Sequence, residues 1–137
     1  MEQIAQFRFE GYKIVKSLLE IKSTDISKDL SLNFDLSGID NRSERTFKLT
    51  MTVVISDKAG NLKAEICAIG QYQFDEGNDE RQLGNFFNMN APAILFPYVR
   101  AHIATLSTLC GLKTPLILPT LNLSGLAELL AKQTEKV

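Results

Sequence analysis

The hydrophobic period changes partway along the chain, and that change restricts the fold more than any other feature. In the first half, apolar residues recur at every second position. Ala5, Phe7 and Phe9 alternate with Gln6, Arg8 and Glu10. Leu30, Leu32, Phe34 and Leu36 alternate with Ser31, Asn33, Asp35 and Ser37, and Phe47 to Ile55 continue the pattern against Thr46 to Val54. A period of two sends alternate side chains to opposite faces of a strand. The phase blurs at Gly11, where a bulge fits, and apolar residues resume from Tyr12 to Ile21. Gly38 to Glu44 reads as a turn, and Ser56 to Asn61, with Ala-Gly-Asn, as a hairpin turn. Leu62 to Phe74 is a fourth strand. Its middle, Ile66 to Ile69, is apolar on both faces, so periodicity leaves its inner face open. Four strands with short connections predict an antiparallel meander with one wetter face.

The second half supplies the cover such a sheet needs. Asp75 to Asn85 reads as an acidic loop. Leu95, Phe96, Val99, Ile103, Leu106 and Leu109 or Cys110 then recur at three- and four-residue spacing. This predicts a helix of about five turns ending at Gly111, with Pro97 near its start. The other side of that helix carries Ala93, Ala101, Ala104, Thr105, Ser107 and Thr108, with no charge from Ala101 to Leu112. Surface helices show charge to water. The spacing therefore predicts a helix covered twice, by its own sheet and by a second copy of the chain, the alternative second cover being the chain's own C-terminal segment. Phe96, Val99, Ile103 and Leu106 are the expected interface residues. The segment 112–123 is apolar, punctuated by Pro115 and Pro119, and reads as extended. Ser124 is the expected cap of a shorter last helix, and 132–137 a frayed polar tail. The fold class expected is α+β: a four-stranded antiparallel sheet covered by a long and a short helix, in one domain over 1–137.

Little in the sequence points to catalysis. His102 is the one histidine of the 137 residues. The glycine patterns of nucleotide-binding loops and of serine hydrolases do not occur. Asp75, Glu76, Asp79 and Glu80 lack the spacing of a calcium loop and read as solvated charge. Cys67 and Cys110 lie far apart, without zinc or dithiol spacing, and read as free thiols packed as small apolar side chains. A net charge of −1 without a basic stripe argues against duplex nucleic acid. The sequence also shows no basic leader and no run of about 20 apolar residues, so a cytoplasmic protein without membrane insertion is expected. The expectation is a binding protein with no cofactor and no metal.

Leu116, Ile117, Leu118, Leu121 and Leu123, with Leu126 and Leu130, are many apolar residues for one end of a chain. Some complete the core. Others can line an apolar groove, where burial at about 25 cal/mol per Å² tolerates many sequences.

The block Asn88-Met-Asn-Ala-Pro-Ala-Ile-Leu-Phe-Pro-Tyr-Val-Arg-Ala101 resembles the helix-opening motif of the SecB protein-export chaperones, Pro-x-x-Leu-Phe-Pro-Tyr-Ala-Arg. Pro92, Leu95, Phe96, Pro97, Tyr98 and Arg100 match in place, and Val99 replaces an alanine. Gly111 and Leu116 to Leu123 are similar to the family's downstream Gly and Pro-x-Leu-x-Leu-x-Pro-Val-Asn-Phe stretch. The resemblance implies a homotetramer, as a dimer of dimers, that holds unfolded or precursor polypeptides without ATP. It also implies a groove at Leu19, Ile21, Leu116, Ile117, Leu118, Leu126 and Leu130. Export members are acidic and carry a Leu-Cys-Glu step on the fourth strand that helps engage SecA. Here the aligned step is Ile66-Cys67-Ala68, which argues against delivery to SecA. The alternative is a SecB-like module dedicated to one partner, such as an antitoxin.

Overall fold

The computed structural model describes residues 6–119 and 124–137. In chain order it contains β1 (Phe7–Ile21), β2 (Leu30–Asn41), β3 (Thr46–Asp57), β4 (Leu62–Phe74), α1 (Glu80–Asn85), a π-helical turn (Phe86–Asn90), α2 (Ala91–Leu109), α3 (Ser124–Lys132) and β5 (Thr134–Lys136). The α+β class stands; the four-stranded antiparallel meander is corrected. The sheet has five strands in the order β1-β4-β3-β2-β5, and β5 lies parallel to β2. Only β2 to β4 form a meander. β1 returns beside β4, which is Greek-key order. Periodicity reports the face a residue points to, not the strand it pairs with.

The predicted bulge is present, with the β1–β4 register slipping between Phe9 and Gly11. The two-sided apolar middle of β4 is resolved too. Ile66 and Ala68 point inward and are fully buried, while Cys67 and Ile69 face the open side. The inner face is continuous across the strands: Leu36, Phe47, Leu49, Met51, Val53, Ile66 and Ala68 are all at 0% exposure. Each large side chain buried there contributes about 1.5–3 kcal/mol.

β1 must cross the end of the β3–β4 hairpin to reach β2, and Asp57 pins this crossing. Its Oδ2 accepts from Ser27 N at 3.1 Å; its Oδ1 accepts from Asn61 N at 2.7 Å and Leu62 N at 3.0 Å. Burial pushes this carboxyl up, but the backbone donors of Leu62, Ser27 and Asn61 outweigh it and hold it below the ordinary carboxylate range. A lowered folded-state value stabilises the fold above the unfolded value of about 4, and that contribution is lost as pH falls through the folded value. Asp57→Asn is therefore expected to lower the melting temperature at pH 7 by several degrees, because the amide sets a donor against one of these N–H groups. It should also flatten the acid limb of the urea midpoint plotted from pH 7 to pH 3. An unchanged acid limb would remove Asp57 from this role.

The predicted acidic loop is shorter than 75–85. Asp79 opens α1 with a reciprocal capping box, its Oδ1 accepting from Gln82 N at 2.8 Å while Gln82 Oε1 accepts from Asp79 N at 2.9 Å. That Asp-x-x-Gln spacing was visible in the sequence. The other acids of the cluster are also partnered. Asp75 pairs with Arg8 at 2.8 Å, Glu76 with Arg45, and Glu80 with Arg42 at 2.6 Å. Arg42 also holds the buried Asp40 of β2 at 2.8 Å, which fastens the β2–β3 turn to α1. The Glu80 and Asp40 contacts raise the guanidinium further above its ordinary value, and Arg42 in turn lowers the Glu80 carboxyl.

Pro97 sits inside α2, beyond its first turn. α2 ends as expected at Gly111, whose φ of 89° suits a residue without a side chain. Leu112 N donates to Ser107 O at 3.1 Å and Gly111 N to Thr108 O at 3.1 Å, the Schellman arrangement. The tail expected to fray instead supplies β5. Thr134-Glu-Lys has no apolar alternation to signal a strand, because its pairing is through backbone groups. Cys110 is exposed rather than packed, and Cys67 is half-buried. The expectations for Ala5, Leu121 and Leu123, and for the Ser124 side-chain cap, lie outside what the structure describes.

Candidate functional site

The helices cover the sheet unevenly. α2 lies over β4, β1 and β3, and α3 over the later part of β2 and the π-helical turn. An aromatic chain ties α2 down. Tyr98 stacks on Tyr12 with centroids 4.6 Å apart and on Phe9 at 5.6 Å; Phe7 stacks on Tyr72 and on Phe86, both at 5.1 Å. Tyr72 Oη donates to Ala91 O at 2.7 Å, and burial pushes its hydroxyl up out of the ordinary range. At the other end, Phe47 lies face to face with Phe87 at 4.3 Å. Phe47 also occupies the space beside Gly38, where a Cβ would stand 2.7 Å from the ring.

The matching motif residues have distinct structural tasks. Pro92 and Leu95 are buried, and Phe96 meets Phe34 at 6.1 Å. Arg100 Nε donates to Leu118 O at 2.8 Å, and Ser107 Oγ accepts from Leu116 N at 2.8 Å. These two bonds lay the extended segment back along α2. Ser107, expected on the outer side of the helix, is at 0% exposure because its hydroxyl serves this segment.

The residues expected to line a groove divide into three groups. Leu116, Leu118 and Leu130 are core, at 8%, 2% and 0% exposure. Leu19, Ile21 and Leu126 are half-buried against the core, and Ile117 stands out at 60%. The structure adds Leu30, Leu32 and Phe34 on the inward face of β2, where Leu30 is exposed and Leu32 and Phe34 are half-buried while Leu36 and Asp40 further along are buried. Their alternation was visible in the sequence, but which end of β2 lacks cover was not. Leu30, Leu32 and Phe34 thus form an open apolar strip along β2, while Leu19 and Ile21 lie on β1, with β4 and β3 between. Two small cavities lie elsewhere. One of about 290 Å³ is lined by Arg8, Arg45 and Asp75, and one of about 190 Å³ by Glu20, Lys22 and Asn61.

Phe96, Val99 and Ile103, expected at a contact between copies, face the chain's own sheet at 7%, 0% and 2% exposure, with Leu106 half-buried. The three- and four-residue spacing marks the strip that meets the sheet. The side of α2 open to a second body carries Ala93, Pro97, Ala101, Thr105, Thr108 and Leu109, with Arg100 as its charge. Ala68 faces the helices, so its lack of charge leaves the open sheet face unchanged. On that face Glu65 pairs with Lys16 at 2.7 Å, which holds the carboxyl below its ordinary range.

This geometry defines an open-faced α+β protein whose distinctive surface is an apolar strip beside extended backbone. The family model described as "Preprotein translocase subunit SecB" matches residues 4–134, and the chain belongs to the SecB family, a chaperone family and not an enzyme family. A protein-export protein SecB of Anaplasma phagocytophilum is 25% identical over 93% of this chain and 87% of its own length. An uncharacterized protein of Methanocaldococcus jannaschii is 30% identical over 94% of this chain and 90% of its own. Among solved structures, a Mycobacterium tuberculosis SecB-like chaperone in complex with a ChAD peptide from the HigA1 antitoxin shares the fold, with a TM-score of 0.69. That match is 15% identical and covers 85% of this chain and 91% of the other. No helix among the described residues is long and apolar enough to cross a membrane.

Proposed function

We propose that this protein is an ATP-independent holdase that binds unfolded or precursor polypeptides along the apolar strip and works as a homotetramer joined through α2. The strip carries this reading. Leu30 is 39% exposed on the same face of β2 as the half-buried Leu32 and Phe34, and Ile117 adds a 60% exposed apolar side chain on the extended segment. Contiguous apolar surface of this kind marks a binding site, and burial energy without directional contacts accepts many sequences.

The test is light scattering of a denatured client diluted with and without the protein. Suppression is expected at molar excess, and its absence overturns the reading. Ile117→Asp should leave the fold intact, since the side chain is already in water. It should weaken client binding about tenfold or more, the value of one apolar side chain buried.

A module dedicated to one partner is the second reading. The open sheet face supports it, with Lys13, Lys16, Lys48 and Lys63 set among Glu20 and Glu65 instead of the acidity of export members. The likeness in fold to a chaperone captured with an antitoxin peptide supports it as well. Purification from native cells separates the two. One stoichiometric partner favours the module, and a heterogeneous mixture favours the holdase.

A further inference from the structure

The edge of β2 carries an occupant that is poorly matched to it. β5 pairs with β2 through three residues, Gly38 with Thr134, Ile39 with Glu135 and Asp40 with Lys136. Gly38 N donates to Gln133 O at 3.2 Å, and Val137 N donates to Asp40 O at 3.0 Å. Beyond these backbone bonds the attachment is slight. Glu135 and Lys136 are exposed and Thr134 is half-buried, so β5 buries almost no apolar surface. Its extra anchors are Gln133 Nε2, which donates to Asp35 Oδ1 at 3.1 Å and to Leu36 O, and Thr134 Oγ1, which donates to Leu130 O at 2.6 Å. A three-residue parallel strand at a sheet edge belongs to the least stable class of pairing.

The edge itself favours an apolar visitor. Gly38 has no side chain, and the Phe47 ring lies within 2.8 Å of where its Cβ would stand. An apolar side chain in place of Thr134 gains that aromatic surface. By strand alternation, Leu32, Phe34 and Leu36 point their side chains inward and their peptide groups to the same edge as Gly38 and Asp40. A strand added here therefore runs beside the apolar strip.

We propose that the Gly38–Asp40 edge of β2 is a β-augmentation site for extended client polypeptide, with β5 its internal, exchangeable occupant. This rests on the holding function proposed above. The client class is an extended segment with apolar residues at alternate positions. It takes the backbone bonds of β5 and adds the side-chain burial that β5 lacks.

Ile39→Cys with Glu135→Cys tests this, in the full chain with Cys67 and Cys110 changed to alanine and serine. Oxidation ties β5 to β2. The probe is reduced, carboxymethylated lactalbumin, which stays unfolded. The oxidised form should bind it at least about tenfold more weakly than the same sample after reduction. Hydrogen exchange on the unmodified chain gives a second readout. At saturating probe, the Val137 amide should lose protection while the Gly38 amide keeps it. Equal affinity of the two forms, or unchanged protection at Val137, overturns the exchange and leaves the holding reading intact. If neither form binds the probe, both readings fall.

Discussion

Ala101→Glu combined with Thr105→Glu should convert the proposed tetramer to single chains of 15.3 kDa, measured by light scattering after size exclusion against the unmodified protein. The two positions lie one turn apart on the side of α2 that faces away from the sheet, and both are exposed in the single chain. Apart from Arg100, the outward residues there are small or apolar, and Leu109 is 80% exposed. In the separated chain the new carboxylates stand in water at little cost. In a helix-to-helix contact they lose that water without gaining a partner, which costs several kcal/mol. Circular dichroism should remain that of a folded protein. Ile103→Asp makes the contrast. Ile103 is 2% exposed against the chain's own sheet, so this substitution should unfold the chain itself. An unchanged mass for the Ala101 and Thr105 variant would rule out assembly through this face.

Phe47→Ala should cost about 3–5 kcal/mol of unfolding free energy, read from the urea midpoint, with the slope unchanged. Phe47 is at 0% exposure. Its ring stacks on Phe87 of the π-helical turn at 4.3 Å and contacts Tyr72 at 6.1 Å. It also fills the space beside Gly38 on β2. Removing it leaves a cavity where β2, β3 and the helical layer meet. The loss should exceed that of a Leu→Ala change at the half-buried Leu126, and β5, which shares Gly38, should exchange its amides faster. A loss below about 1 kcal/mol would show that the helical layer closes over the gap.

Much of this architecture could be read from residue types and spacing. Two-residue alternation placed β2 and β3, the apolar run after the Ala-Gly-Asn turn placed β4 without its inner face, and Gly11 marked the bulge. The three- and four-residue spacing from Leu95 to Ile103 located the long helix, and Gly111 its end. The Leu95-Phe-Pro-Tyr98 block pointed to the family. These features are local. Each depends on the φ of one residue, or on a period set by backbone geometry within a few turns.

Pairing and cover depend on residues far apart in the chain, and local patterns do not encode them. β1 lies beside β4 because the crossing at Asp57 carries the chain over the hairpin. Thr134-Glu-Lys becomes a strand because α3 delivers it to the edge of β2. Phe96, Val99 and Ile103 meet the sheet, and Ala101 and Thr105 do not, because the extended segment held by Arg100 and Ser107 fixes how α2 sits. The apolar strip is open from Leu30 to Phe34, whereas Leu36 on the same face of β2 is buried. A hydrophobic side chain is equally apolar in a core or on a binding surface, and only the packing around it separates the two.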